Sequence, residues 1–418
     1  MNMYMSIKKS VNMKNLLFIT SNSSFIKNIR YSSTLVDHSQ PKFATTFKHS
    51  DLSIELLPQH KLKPKPKDVA SIKFGSEFSD HMTSIEWDNK NGWHCPEITP
   101  MRGMTFHPAA KCLHYAAQLF EGMKAYRGID NKIRLFRPEH NMDRMNRTAT
   151  RCALPTFDGE ELIKIISELV SIDKEWVPYS NVASLYIRPT LIGTEGTLGV
   201  ADSSKAKLFV LTGPAGAYYP TGFKPISLLA DPKYVRAFPG GVGQYKMGCN
   251  YAPSVMVGKI AADMGCQQVL WLYGDNEDIT EVGTMNLFVY WKNENGEDEL
   301  ITPSLSRGII LPGVTRKSLI ELAKEWNEFK ISEKNFTMND LKKAIKEKRV
   351  YQIFGSGTAC VVSPVGRILH RDIKTDKFEE LVIPTMEAKN NVMQRLYNAI
   401  MDIQYGKVEK VEWTREIS

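Results

Sequence analysis

The pattern of apolar and polar positions predicts short strands interleaved with amphipathic helices. Short runs rich in β-branched and aromatic residues favour strands, whereas apolar residues spaced three or four apart favour helices. The predicted strands span 133–136, 184–189, 207–211, 226–230, 268–273 and 286–291. The predicted helices span 138–147, 160–170, 252–264, 315–329, 338–348 and 385–403. Because strands and helices do not alternate strictly, this order predicts an α/β fold with mixed α+β layers.

A cluster of backbone-breaking residues divides this pattern in two. Residues 213–222 contain three glycines and two prolines, which is typical of a loop rather than of a helix or strand. We therefore predict a small α/β domain at 71–212, an interdomain loop at 213–225 and a large domain at 226–418. Residues 37–70 are polar and rich in proline and lysine, which predicts an extended N-terminal arm.

The first 36 residues have a different composition. They carry five lysine or arginine side chains and no acidic residue, with a short apolar run at 16–19. This composition resembles a cleavable mitochondrial transit peptide, with a plausible processing site near Arg30. A disordered tail and a secretory signal are the alternatives. The leader therefore predicts location in the mitochondrial matrix, with a cytoplasmic location as the alternative.

Composition excludes several classes of function. The chain has 418 residues, 42% apolar and 24% charged, which is typical of a soluble globular protein with two domains. Most of the net charge of +8 belongs to the leader, so the remainder is too weakly basic for nucleic-acid binding. No run reaches the roughly 18 apolar residues of a membrane span. The six cysteines form no CxxC pair and no zinc-ligand spacing, so we expect neither a disulfide framework nor a metal site.

The clearest candidate for chemistry is Lys246, which stands within the glycine-rich run 240–251. Glycines let the backbone approach a ligand closely, so they can hold a lysine in a crowded pocket. A lysine held there as the free amine can attack a carbonyl and form an imine. The alternative is a surface lysine beside a flexible loop.

Four further features point to one cofactor. Glu281 precedes a predicted strand and could pair with a ring nitrogen, although a turn with a solvated carboxylate is the alternative. The predicted strand–glycine–helix junction at 309–316 could bind an anion with its first-turn amides, or could be a helix start capped by Thr315. A glycine-rich loop at 354–360 could present backbone N–H groups to phosphate. Arg144, on a predicted helix, suits phosphate as well. Together with a lysine, these groups describe a site for pyridoxal 5′-phosphate.

Nine stretches of the chain resemble the branched-chain amino-acid aminotransferases, a family of fold-type IV pyridoxal phosphate enzymes, in their longer eukaryotic form. The resemblance extends from Phe74 to Trp413. It implies a two-domain architecture like that of D-amino-acid aminotransferase. It also implies reversible transfer of the amino group of L-leucine, L-isoleucine or L-valine to 2-oxoglutarate, giving branched-chain 2-oxo acids and L-glutamate. The matching stretches are 113–115, 118–125, 135–138, 141–145, 240–251, 268–274, 280–286, 311–315 and 355–360.

The resemblance implies a role for each cofactor-side residue. Lys246 would form a Schiff base with pyridoxal phosphate, which makes 226–418 the cofactor-binding domain, and would then carry the substrate's α proton. Tyr251 would hydrogen-bond the phenolate oxygen of the cofactor, and Glu281 would pair with its ring nitrogen. The other implied cofactor contacts, mostly to phosphate, are Arg144, Thr284, Val314, Thr315 and Thr358.

On the substrate side, the resemblance implies that Arg188 meets the side-chain carboxylate of glutamate or 2-oxoglutarate. The amides of Thr358 and Ala359 would hold the α-carboxylate. The pocket would be completed in a homodimer, with Tyr186 and Val200 supplied by the partner subunit. An apolar pocket would surround the substrate side chain, although aromatic residues of this kind are also common in ordinary cores; its implied members are Phe74, Tyr115, Phe120, Tyr186, Val200, Tyr218 and Thr284.

The chain departs from its resemblance at one point. Mammalian members carry a Cys-x-x-Cys pair after the Gly-Thr-Ala turn, whereas here Ser363 follows Cys360 in place of the second thiol. Without a resolving cysteine, Cys360 cannot close a local disulfide, and we expect peroxide to inactivate the protein less readily or less reversibly. Rival interpretations are a D-amino-acid transaminase or aminodeoxychorismate lyase, and a catalytically silent binding protein on the same fold. The preferred branched-chain substrate and the physiological direction remain open at this stage.

Overall fold

The computed structural model describes residues 46–66, 68, 71–216 and 224–417. Its helices are α1 Lys111–Tyr115, α2 Pro138–Arg151, α3 Gly159–Ile172, α4 Ala252–Asp263, α5 Val314–Trp326, α6 Met338–Lys346 and α7 Val392–Gln404. Its first nine strands are β1 Ser53–Ile54, β2 His81–Asp88, β3 Gly92–Trp93, β4 Glu97–Pro100, β5 Gln118–Phe120, β6 Met123–Arg127, β7 Ile133–Phe136, β8 Ser184–Gly193 and β9 Lys205–Ala215. The remaining strands are β10 Ile226–Ala230, β11 Gln268–Tyr273, β12 Asp278–Val282, β13 Met285–Lys292, β14 Asp298–Thr302, β15 Lys330–Glu333, β16 Val350–Gly357, β17 Val361–Asp372, β18 Lys377–Val382 and β19 Thr414–Ile417.

The N-terminal half of the described chain forms a predominantly antiparallel sheet. Its order is β1-β4-β2-β9-β8-β6-β7-β19, with β3 beside β2 and β5 beside β8. Helix α3 begins where the Asp158 carboxylate accepts a hydrogen bond from the Glu160 N–H group at 2.9 Å, a normal N-cap. Its apolar face, which includes Leu162 and Ile166, is fully buried in the core of this sheet. Hydrophobic burial therefore fixes α3 against the sheet.

The second sheet contains a closed barrel. Its order is β12-β11-β10-β17-β16-β13-β14-β15, and β12 also pairs with β13. That extra pairing joins Glu281 to Asn286 and Val282 to Met285, which closes a ring of six strands. The interior of the ring is apolar and buried. The closed ring places Glu281 and Asn286 on neighbouring strands.

The last strand in the chain, β19, returns to the first sheet and pairs antiparallel with β7. The two sheets are therefore built from segments that are not separate in sequence, which the strand pattern did not predict. The domain boundaries at 71–212, 213–225 and 226–418 stay a prediction. Residues 217–223 of the predicted loop lie outside the described residues, as do the predicted leader at 1–36 and residues 37–45 of the arm.

The mixed α/β layering is confirmed, and most of the predicted elements coincide with observed ones within one to four residues at their ends. The prediction for the last helix is wrong at its start: α7 begins at Val392 rather than at 385. The Thr385 hydroxyl accepts a hydrogen bond from the Ile353 N–H group at 3.1 Å, which holds Thr385 against the sheet. The helix begins only where the Asn391 side chain caps the Gln394 N–H group at 3.0 Å.

The described part of the arm lies on the first sheet. Strand β1 pairs parallel with β4, and the Lys65 ammonium lies 2.6 Å from the buried Asp80 carboxylate. Burial would raise the pKa of Asp80, but hydrogen bonds from Lys65, Lys63 and Trp176 outweigh it and hold that pKa below its usual value. The arm is thus attached a few residues before Phe74. Among the described helices, none is long and apolar enough to cross a membrane.

Candidate active site

A cavity of about 310 Å³ lies where the first sheet faces the barrel. It is walled by β5, β8 and α2 on one side, and by the β12–β13 turn, the start of α5 and the end of β16 on the other. It brings together twelve of the residues singled out from the sequence. They are Phe74, Phe120, Arg144, Tyr186, Arg188, Lys246, Tyr251, Thr284, Val314, Thr315, Thr358 and Ala359.

Lys246 is fixed by its backbone, which leaves its side chain free to reach into the cavity. Its N–H group donates to the Thr148 hydroxyl at 3.3 Å, and its carbonyl accepts from the Phe120 N–H group at 3.2 Å. Its ammonium nitrogen lies 3.2 Å from the Tyr251 hydroxyl and 4.9 Å from the centre of the Phe120 ring. Lys246 and Tyr251, which the sequence analysis named separately, therefore lie next to each other in the cavity.

The glycines before Lys246 have a different purpose from the one the sequence suggests. None of Gly240, Gly241 and Gly243 lines the cavity. Gly240 has a φ of +79°, and a Cβ at Gly243 would lie 2.6 Å from the Ile309 carbonyl oxygen. Small size at these positions lets the loop pack tightly against neighbouring backbone. The glycines thus fix the position of Lys246 rather than making room for a ligand.

Glu281 is buried behind the cavity, with its charge matched by an arginine. One carboxylate oxygen accepts from the Leu311 N–H group at 2.9 Å and the Asn286 amide at 3.2 Å. The other lies 2.8 Å from the Arg236 guanidinium. Burial raises the pKa of Glu281, and Arg236 offsets only part of that rise. Because Glu281 is buried, the alternative of a solvated carboxylate is excluded.

Arg144 is held by Glu121, which the sequence interpretation overlooked. Two guanidinium nitrogens each lie 2.7 Å from a Glu121 oxygen, and a third donates to the Pro312 carbonyl at 3.0 Å. Burial alone would raise the pKa of Glu121, but Arg144 outweighs it, and the pKa is lowered. An arginine has five N–H donors, so two of those on Arg144 remain for an anion in the cavity.

The start of α5 supplies further donors, although its surroundings differ from the prediction. Residues 309–311 are irregular rather than a strand, and residues 354–357 belong to β16 rather than to a loop. The Asn286 amide donates to the Leu311 carbonyl at 2.8 Å, which holds that segment beside the barrel without strand pairing. Gly313 precedes α5 and provides no side-chain cap, so the first-turn amides of Val314 and Thr315 are available to an anion.

These groups suit pyridoxal phosphate. At one end of the cavity, the α5 amides and Arg144 can hold a phosphate, and at the other a buried carboxylate can hold a protonated ring nitrogen. The amine of Lys246 has partners of both charges: the Arg144 guanidinium lines the same cavity, and the buried Glu281 carboxylate interacts with the lysine charge. A ring with phosphate and pyridine nitrogen at its two ends matches this donor set, and no part of it requires a metal. Within the described residues, no cluster of three or more His, Cys, Asp and Glu side chains could hold a metal ion.

One wall of the cavity carries an arginine, Arg188, that forms no salt bridge with a described acidic side chain. Arg188 donates to the Tyr186 hydroxyl at 2.9 Å and lies over the Phe120 ring, 4.6 Å from its centre. Its Nε atom is buried and has no hydrogen-bond partner. The Phe74 ring meets the Tyr186 ring edge-on at 4.9 Å. This wall can therefore bind an apolar group and a carboxylate side by side.

Two predicted pocket residues do not line the cavity, and the position of a third is not described. Tyr115 and Val200 lie on the surface, with Val200 85% exposed, and Tyr218 lies outside the described residues. The expectation that a partner supplies Tyr186 is wrong, because strand β8 places this side chain in the cavity of its own chain. Its hydroxyl approaches Gly122 so closely that a side chain there would collide with it.

Sequence reasoning overlooked Arg236, Glu121 and Thr148. Glu121 stands within a stretch that resembles the family, so its position next to a buried arginine could have been suspected. Arg236 and Thr148 stand in segments without a motif or a periodic pattern. Their roles depend on contacts with residues 45 and 98 positions away, which only the folded chain reveals.

We expect Cys360 to resist peroxide. Burial raises the pKa of its thiol to about 12, so it stays protonated near neutral pH and reacts slowly. The nearest sulfur is the Met285 thioether at 3.2 Å, which cannot form a disulfide. Peroxide treatment that oxidises the exposed Cys95 should cost less than about twofold in activity, with Cys360 unmodified by mass spectrometry. Rapid inactivation that dithiothreitol reverses, and that Cys360→Ser abolishes, would contradict this.

The chain is similar to one protein family and to several known proteins. The family model described as "Amino-transferase class IV" matches residues 118–368. The cytosolic branched-chain-amino-acid aminotransferase of Caenorhabditis elegans is 62% identical over 89% of this chain and 90% of its own. The mitochondrial branched-chain-amino-acid aminotransferase of Mus musculus is 50% identical over 87% of this chain and 90% of its own.

A solved structure shares the fold. The branched-chain amino acid aminotransferase of Thermobaculum terrenum, solved in its PLP form, superimposes with a TM-score of 0.63 at 18% identity. The match covers 82% of this chain and 99% of the other. At that identity the likeness establishes the arrangement of strands and helices and nothing finer.

Proposed function

We propose that this chain, which belongs to the class IV aminotransferase family and within it to the branched-chain-amino-acid aminotransferases, catalyses reversible amino transfer with pyridoxal phosphate. The amino donors are L-leucine, L-isoleucine and L-valine, and the acceptor is 2-oxoglutarate. The observation that carries the proposal is the position of the Lys246 amine. It shares one cavity with the anion site formed by Arg144 and the start of α5, and with Arg188, which has no described acidic partner; the buried Glu281 lies behind that cavity.

The residues divide the chemical work among themselves. Pyridoxal phosphate, when bound, supplies a conjugated ring that takes up the electron pair left on the substrate's α carbon. Lys246, as a free amine, would take the α proton of the substrate and deliver it to the C4′ carbon of the cofactor, while the Tyr251 hydroxyl, 3.2 Å away, would orient the amine. The Glu281 carboxylate would pair with the positive charge on the ring nitrogen, and the neighbouring Arg236 favours its ionised form. Arg144 and the α5 amides fix the phosphate.

The same pocket accepts two kinds of substrate. Phe74, Phe120 and Tyr186 present an apolar wall on which a branched side chain is worth roughly 1.5–3 kcal/mol. Arg188 lies at that wall and can pair with the side-chain carboxylate of glutamate. The amides of Thr358 and Ala359 would hold the α-carboxylate common to both substrates.

Steady-state kinetics test the proposal. Leucine, isoleucine, valine, methionine and D-alanine are each assayed against 2-oxoglutarate with the full-length, cofactor-loaded protein. The three branched L-amino acids should give the highest kcat/KM, because D-alanine places its side chain away from the apolar wall. A preference for D-alanine would support the D-amino-acid transaminase alternative. A protein that binds no pyridoxal phosphate would support the silent binding protein.

Arg188→Gln should separate the two half-reactions. A buried guanidinium–carboxylate pair stabilises the bound substrate by about 1.5–3 kcal/mol. Without it, the KM for 2-oxoglutarate should rise roughly ten- to a hundredfold. The rate of the leucine half-reaction, measured in single turnover, should change by less than about threefold, because leucine has no second carboxylate. Arg127→Gln, remote from the cavity, serves as the control. An equal loss for both substrates would contradict the assignment.

The functional unit proposed here is a homodimer. Leu113, Tyr115, Leu198 and Val200 form an exposed apolar protrusion, and the Tyr115 hydroxyl donates to the Leu198 carbonyl. A soluble protein rarely leaves such a group uncovered unless another molecule contacts it. A second copy would cover this protrusion, and the resemblance implies that Val200 would then complete the partner's pocket.

We further propose import into mitochondria. The relatives include both cytosolic and mitochondrial aminotransferases, so relationship alone does not decide the compartment. The acid-free, basic composition of residues 1–36 supports a cleavable leader. A cytoplasmic location is the alternative.

A further inference from the structure

Lys111 is a buried lysine whose hydrogen bonds all go to one loop. Its side chain is 3% exposed. Its ammonium donates to the carbonyl oxygens of Gly199, Ala201 and Asp202 at 3.1, 3.0 and 2.9 Å. The Glu195 carboxylate lies 3.2 Å away and balances the charge. Lysines are almost never buried unless they are paired, so this arrangement is specific.

Lys111 holds residues 195–202, and this segment carries Leu198 and Val200 of the exposed protrusion. Its backbone is also tied to α1, since the Lys111 N–H group donates to the Glu195 carbonyl at 3.1 Å. Between these attachments, Leu198 is 62% exposed and Val200 85% exposed. No strand or helix holds residues 197–202. Their conformation therefore depends on side-chain donors, chiefly the Lys111 ammonium with three hydrogen bonds and the Tyr115 hydroxyl with one.

Loss of this ammonium would remove three of the hydrogen bonds that hold the loop, so its backbone could move. A neutral, apolar side chain at position 111 would leave three carbonyl groups and one carboxylate without their donor. Those groups would turn outward to water, and the loop would take other conformations. Leu198 and Val200 would move with it, although neither contributes to the core of its own chain.

We propose that Lys111 is a positioning residue that acts across the dimer: by holding residues 199–202 it sets where Val200, which the resemblance implies for the partner's pocket, meets the substrate. This inference rests on the proposed transaminase function and homodimer. Lys111 does not line the cavity of its own chain, so its effect on that chain's own active site should be small. The substrate contact that it controls belongs to the other subunit.

Lys111→Met in the full-length, cofactor-loaded dimer should raise the KM for leucine about tenfold and leave kcat within about threefold, because a binding surface moves while the catalytic groups stay. Lys207→Met is the matched control. Lys207 is a largely buried lysine of the first sheet that pairs with Glu86, away from residues 195–202. An unchanged KM in Lys111→Met would overturn the proposal.

Hybrid dimers test the direction of action. In a hybrid of Lys111→Met and Lys246→Ala subunits, purified with two different tags, the only active site receives an intact loop from its partner. Its KM should return to the wild-type value. In a hybrid of wild type with the double variant Lys111→Met/Lys246→Ala, the active site receives the altered loop and its KM should rise. The opposite pattern would show that Lys111 acts within its own chain and would overturn the proposal.

Two further measurements keep the outcomes distinct. Lys111→Gln retains two amide donors and should give a smaller rise in KM, so the test remains possible if Lys111→Met does not fold. Light scattering checks that each variant is dimeric. An inactive or monomeric wild-type protein would refute the proposed function or the dimer, whereas an active dimer with unchanged KM in both variants would refute only the role of Lys111.

Discussion

Lys246→Ala should lower kcat by at least about a thousandfold, because no other described amine reaches the cavity floor to move the α proton. The backbone contacts that hold this segment, to Thr148 and Phe120, do not involve the side chain and should survive. The variant should therefore fold normally and keep its melting temperature within a few degrees. Cofactor binding should persist through the phosphate contacts, while reduction with borohydride should no longer attach cofactor to the protein.

Lys233→Ala is the matched control for this experiment. Lys233 is an exposed lysine whose ammonium lies over the Tyr234 ring, and it does not line the cavity. Its activity and its mass after borohydride treatment should match those of the wild type. If Lys246→Ala kept a tenth or more of the activity, another residue would be the proton carrier and the assignment of Lys246 would fail.

Arg236→Met should shift the acid limb of the kcat–pH profile upward by about one to three pH units. Glu281 works as a carboxylate, and burial raises its pKa while Arg236 opposes the rise. Removing Arg236 takes away the largest of the interactions that oppose burial, so the pKa of Glu281 rises further. As pH falls, the carboxylate of the variant is then protonated earlier, and activity is lost at a higher pH than in the wild type. The variant should also be less stable, since a buried charge loses its partner.

Two variants complete this test. Glu281→Gln cannot ionise, so the limb should disappear and kcat should be low at every pH, by roughly a hundredfold or more. Arg371→Met removes a partly exposed arginine that pairs with Asp231 and Asp376 elsewhere in the barrel, and its acid limb should match the wild type. An unshifted limb in Arg236→Met would mean that a group other than Glu281 sets it.

The sequence predicted the residues that line or adjoin the cavity far better than those that support them. Lys246, Tyr251, Glu281 and Arg144 each stand in a local motif, because a ligand contact requires a particular side chain at a particular turn. Arg236 has no such motif. Its position depends on the barrel closing, which brings residues 236 and 281 together, and no local pattern encodes that distance.

For the fold as well, the sequence predicted the features that local patterns determine and missed those that individual or distant contacts determine. Periodicity predicted β10 and β11 to the residue, because buried strands have continuous apolar runs. It missed the start of α7, where one threonine hydroxyl and one asparagine cap decide the boundary. It also missed the return of β19 to the first sheet, because strand partners distant in sequence leave no local trace.

Closure of the barrel between β12 and β13 has a consequence for motion. A strand at the edge of a sheet can fray from its free side, whereas each strand of a closed ring is hydrogen-bonded on both sides. Strand β12, which carries Glu281, therefore opens to water only when the ring itself opens, at a cost near that of global unfolding. Surface segments such as residues 195–202 can fluctuate many times while the acid beneath the cofactor site stays dry.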